Sequence, residues 1–125
     1  MIDEGKARPD RPVEGPLVRV QLTEQLERLK QESTWRTCGR NAVTLTKEPG
    51  LRLVLMLLGP GTKIPEHKAA GPLTLHVLSG SVILRAGSRQ ETLASGLLVL
   101  LEPAIAHEVE ALEESACLLT LAGVS

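Results

Sequence analysis

After Trp35 the chain becomes a succession of short runs rich in Val, Leu, Ile and Thr, each closed by turn residues. Runs of this length and composition read as β-strands. Eight are predicted: Ala42 to Lys47, Leu51 to Leu58, Leu73 to Leu78, Val82 to Ala86, Arg89 to Leu93, Leu97 to Leu101, Glu108 to Leu112 and Ala116 to Ala122. Glu48-Pro49-Gly50, Gly59-Pro60-Gly61, Ser79-Gly80, Ala86-Gly87-Ser88 and Ser95-Gly96 supply preset or positive φ at the reversals. Such connections close hairpins rather than crossovers. Many short strands without intervening helices make an antiparallel sandwich or barrel, and a closed eight-stranded barrel leaves space for one small ligand.

A chain of 125 residues fits one domain, long enough to bury a core without disulfides. Hydrophobic residues make up 42% of it, yet it has no Phe, no Tyr and a single Trp, so that core must be aliphatic. The first sixteen residues hold Gly5, Pro9, Pro12, Gly15 and Pro16 among charges, which predicts a flexible tail. From Gln21 to Glu32, Leu22, Leu26 and Leu29 recur at helical spacing, with Thr23 available as N-cap, which predicts one short amphipathic helix. The expected division is a tail over 1–16, an arm with the helix over 17–36, and a barrel over 37–125.

Net charge is −1 and the fourteen Lys and Arg are interleaved with acids, so no basic face steers the chain toward nucleic acid. No apolar run reaches the roughly 18 to 20 residues of a membrane helix, and MIDEGKARPD is no secretory signal. Cys38 and Cys117 lie far apart and outside any C-x-x-C pattern. A cytoplasmic protein with free thiols and no membrane association is expected. G-x-S-x-G, P-loop and H-E-x-x-H patterns are all missing.

Two glycine-bounded segments carry a more specific signal. In the first, Gly61, His67 and Gly80 keep the spacing of Gly, five residues, His, one residue, His, three residues, Glu, six residues, Gly, with Ala69 at the second His and Leu73 at the Glu. The second runs Gly96, Pro103, Ala104, His107, with Leu97 where an acid is usual and Ala104 where a glycine is usual. On these segments the chain resembles the cupin superfamily over roughly Arg40 to Ala122, and in wording it is similar to small single-domain bacterial cupins. The resemblance implies an all-β fold, a cupin-type double-stranded β-helix (jelly-roll) barrel with a short N-terminal helix. It also implies that positions 67, 69, 73 and 107 point into one end of that barrel, where three imidazoles and a carboxylate hold iron, manganese, nickel or zinc.

Here only His67 and His107 remain as metal ligands, fewer than the three protein donors of a catalytic centre. They imply a weak, exchangeable site for a divalent transition metal. Of the possible third donors His76, Glu66, Glu108 and Glu102, strand alternation turns His76 away if Leu73, Leu75 and Val77 face inward. It turns Glu66 and Glu108 away from their histidine neighbours as well, unless a bulge re-aims them. The candidate ligand pocket is His67, Ala69, Leu73, Leu75, Arg85 and His107. Arg85 would recognise an anion if it faced inward and be a solvated surface residue if it did not.

Leu51 to Leu58 and Leu97 to Leu101 are apolar on both faces. One barrel interior covers a single face, so the helix or a second subunit must cover the other, and a homodimer is expected. The residues leave three functions open. A small-molecule-binding protein comes first, then a metal-dependent oxygenase or isomerase, then an accessory protein whose barrel is filled.

Overall fold

The Gly- and Pro-punctuated runs form two facing sheets in the computed structural model, which describes Lys6–Ala7 and residues 17–123. Apart from that dipeptide, the expected tail lies outside the described residues. In chain order the elements are β1 (Lys6–Ala7), α1 (Leu22–Gln31), α2 (Ser33–Cys38), β2 (Arg40–Glu48), β3 (Leu51–Leu58) and β4 (Lys63–His67). There follow β5 (Leu73–Ser79), β6 (Ser81–Ala86), β7 (Arg89–Ala94), β8 (Leu98–Leu101), β9 (His107–Ala111) and β10 (Ser115–Ala122). One sheet runs β1-β2-β3-β10-β5-β8 and the other β4-β9-β6-β7, antiparallel throughout except for the pairing of β1 with β2. This is the expected all-β jelly-roll barrel.

Strand alternation sorts the side chains. Val54, Met56 and Leu58 of β3 face Cys117 and Leu119 of β10, which face Leu75 and Val77 of β5, and all join one core. Val82 and Leu84 of β6 and Val109 and Ala111 of β9 close that core from the second sheet. Cys117 is fully buried there, and burial pushes its thiol up to about 12, so it packs as an inert apolar residue. Cys38 is exposed at the end of α2.

A second cluster occupies the outer side of the six-stranded sheet. Leu29 of α1 is fully buried against Val43, Leu45, Leu55 and Leu57, and Leu22, Leu26 and Trp35 pack around it. The helices therefore cover the outer face of β3, one of the two coverings expected. They do not cover β8, whose Leu98 and Leu100 are 61% and 70% exposed.

Three local features differ from expectation. The helix starts at Leu22, capped by Gln21 with no side-chain bond, so Thr23 lies within it and is not the N-cap. Residues 33–38 form α2, too short to show helical periodicity, ending at Gly39 with φ +72. Residues 63–67, expected as loop, are strand β4 at the edge of the second sheet. Pro65 interrupts any apolar alternation there, and edge strands are where a strand tolerates proline.

Gly80 turns β5 into β6 at φ +83, and a Cβ there would overlap the Ser115 hydroxyl and the Glu114 carbonyl. The last glycine of the first segment is thus required twice over, for conformation and for space.

Candidate functional site

His67 ends β4 and His107 begins β9, and the two are cross-strand partners. A regular ladder continuing from the Ile64–Val109 pair would bring Glu66 opposite His107. An irregularity between Ile64 and His67 adds one residue to β4, so His67 takes that place and Glu66 is exposed. The imidazoles meet edge to face with centroids 4.0 Å apart and an interplanar angle of 64°. His67 is 8% exposed and His107 3%.

Each Nδ1 lies 2.9 Å from the carbonyl oxygen two residues before it, Pro65 for His67 and Ile105 for His107. A carbonyl only accepts, so both Nδ1 atoms donate and both Nε2 atoms carry the lone pair. His107 Nε2 is buried without a hydrogen-bond partner. Burial holds the His67 pKa below 6.5, and the neighbouring His107 acts in the same direction, against the Pro65 carbonyl bond.

Ala69, Leu73 and Leu75 are all buried in the main core beside this pair. The barrel centre is almost closed: a void of about 10 Å³ remains among Met56, Leu73, Leu75, Leu84, Leu101, His107, Val109 and Leu119. That is room for one water at most, with His107 its only polar neighbour. Where a carboxylate would draw water inward, Leu73 excludes it.

Arg85 does not belong to the pocket, which corrects one of the expected site residues. It alternates with inward Leu84, and on the outer face it pairs with Glu108 at 3.3 Å and Glu110 at 3.1 Å. Glu108 points outward with it, and His76 lies opposite the inward Leu75 and Val77, both as alternation required.

The larger opening lies elsewhere, at the seam where the edge strands β7 and β8 of the two sheets face one another. A cleft of about 490 Å³ runs between the β6–β7 hairpin, β8 and the loop after it, walled by Leu84, Ala86, Val99, Leu101 and Ile105, with Arg89, Glu91 and Glu102 among its polar lining. Leu84 and Leu101 line the central void as well, so they separate the cleft from His107. The loop carries Ala104 at φ +66, the one non-glycine residue with positive φ among those described, at the position where the second segment usually has glycine. Its amide donates to the Ala69 carbonyl at 2.9 Å and so ties together the loops that adjoin the two histidines.

Sequence reasoning missed the cleft, although a signal existed. Across the tight Ala86-Gly87-Ser88 turn Glu91 pairs with Leu84, so an inward Leu84 brings a carboxylate to the inner face of an edge strand.

Two sheets in this order, closed around a pair of histidines from the two glycine-bounded segments, can be compared with solved structures. A conserved protein of unknown function from Streptococcus pyogenes is 21% identical with a TM-score of 0.71, over 90% of this chain and 92% of that one. A cupin superfamily protein from Desulfitobacterium hafniense is 13% identical with a TM-score of 0.66, over 93% and 98%. The fold is that of the cupins. Salicylate 1,2-dioxygenase from Pseudoaminobacter salicylatoxidans, in adducts with gentisate, has a TM-score of 0.77 at 13% identity, over 90% of this chain and 35% of that enzyme. No family model matches the chain, and no curated protein matches it.

Metal-binding cupins need more donors than this site offers. Among the described residues no group of three or more His, Cys, Asp or Glu side chains is placed to hold an ion. The two Nε2 lone pairs, each backed by an Nδ1–H bond to a carbonyl, have the form of metal-ligating imidazoles. They fill two positions and leave a catalytic centre incomplete.

Proposed function

We propose that this cupin is a small-molecule-binding protein whose ligand lies in the seam between β7 and β8 rather than at the barrel centre. One observation carries the reading: the cleft of about 490 Å³ has apolar walls and a few polar groups, while the centre holds about 10 Å³. Volumes of roughly 300 to 1,000 Å³ with this mixture are usual for small-molecule sites. His67 and His107 then form a packed polar pair behind the cleft floor.

The test uses n-octanol as an apolar probe with isotope-labelled protein. Amide shifts confined to Ala86, Val99, Leu101 and Ile105, and abolished by Ala86→Trp, support the cleft. Shifts elsewhere, or none, overturn it.

Metal-dependent turnover is the second reading, and the two free Nε2 lone pairs favour it. Protein purified without chelator is expected to carry well under one zinc, iron, manganese or nickel ion per chain. A stoichiometric ion lost in His67→Ala would replace the binding proposal with the enzyme.

We further propose that two copies associate through the outer face of β8, where Leu98 and Leu100 are the apolar side chains left bare by the helices. Sedimentation at micromolar concentration is expected to give twice 13.4 kDa, reverting to 13.4 kDa in Leu98→Glu. A wild-type monomer would refute the association.

A further inference from the structure

The polar groups around the cleft are not balanced in sign. Its lining holds one cation, Arg89, and two carboxylates, Glu91 and Glu102. Arg89 pairs with one of these carboxylates, its Nη2 donating to Glu91 Oε2 at 2.8 Å. Glu102 has no ion pair or side-chain hydrogen bond among the described residues. The free charge at the rim is therefore negative.

A free carboxylate calls for a donor. A bound acid would share Arg89 with Glu91 and lie near Glu102 as well, whereas a cation meets Glu102 with no such repulsion.

On the reading that the cleft is a binding site, we infer that it takes a protonated alkyl- or arylalkyl-amine. The apolar body lies against Leu84, Val99, Leu101 and Ile105, and the ammonium lies on the Glu102 carboxylate. Glu102 is the specificity-determining residue, and the leucine wall supplies affinity without choosing between head groups. Because Glu102 is exposed, its contribution is a preference rather than an absolute requirement.

The experiment compares three probes of one chain length, octylammonium, octanol and octanoate, by amide-shift titration of the full chain at pH 7 and low salt. Octylammonium is expected to bind roughly tenfold more tightly than octanoate, with octanol between them. Glu102→Gln should weaken octylammonium by roughly threefold to tenfold and leave octanol unchanged. Octanol binding in the cleft together with octanoate equal to or tighter than octylammonium overturns the amine assignment and leaves the cleft intact. An amine preference that survives Glu102→Gln removes Glu102 from its role and overturns the inference as stated. Failure of all three probes to shift cleft amides overturns the binding site itself.

Discussion

Leu75 and Leu100 sit on strands that pair with one another, yet they belong to opposite kinds of space. Leu75 is 2% exposed against the central void of about 10 Å³, whereas Leu100 is 70% exposed on the lining of a cleft of about 490 Å³. The same aliphatic residue type closes one region and stands at the rim of the other. The difference teaches that a barrel without Phe or Tyr can still fill its centre, once the inward carboxylate is replaced by Leu73. The larger open volume then lies at the seam where the two sheets are not hydrogen-bonded to each other.

The comparison breaks most sharply if polarity is returned to the centre. Leu73→Glu places a carboxylate at a position 3% exposed, in a core that holds no Lys or Arg, and should cost about 3–5 kcal/mol in urea unfolding of chelator-treated protein at pH 7.5. A cost below about 1 kcal/mol would mean that the centre admits water and that the two regions are not distinct. Leu75→Ala enlarges the void and is expected to cost about 3 kcal/mol, while Leu100→Ala, made in the monomeric Leu98→Glu background, stays within about 0.5 kcal/mol and weakens octanol binding. Equal losses for the two leucines would erase the contrast.

Acid sharpens the contrast from the histidine side. Folding holds the His67 pKa below 6.5, so between the folded value and 6.5 the unfolded chain binds more protons. Stability should fall as pH drops through 6.5 and level off once the folded state also takes the proton. Urea midpoints of chelator-treated protein from pH 7.5 to 5.5 test this, and His67→Gln should flatten the slope. A midpoint that rises on acidification contradicts a desolvated imidazole. The smallest effect concerns the loop over the seam: Ala104→Gly relieves a positive φ at the cost of a more flexible unfolded chain, for a net gain of about 0.5 kcal/mol. Any loss would show that the Ala104 methyl has a packing role.

Much of the barrel was legible because its signals are periodic. Leu73, Leu75 and Val77 alternate with Thr74, His76 and Leu78, and that parity alone assigned His76 to the outer face. The glycines at 61, 80 and 96 adopt positive φ, as the reversals demanded. Strand β4 was not legible, since KIPEH has neither β-branched repetition nor alternation and is held in the sheet by pairing with β9. The pairing of the histidines was implied by the resemblance, but the extra residue that turns His67 inward instead of Glu66 leaves no mark in the sequence. Arg85 was ambiguous for a different reason. Its inward or outward choice depends on Glu108 and Glu110, two strands' worth of chain away, and those carboxylates decide it.

The hydrogen bond from the Ala104 amide to the Ala69 carbonyl sets how the rim of the barrel can move. Each of the two loops it joins crosses from one sheet to the other, and a swing of either one must drag the other or break that bond. Any displacement of one loop that keeps this bond therefore displaces the other, so the stretch around Ile105 and the turn beyond His67 are mechanically joined.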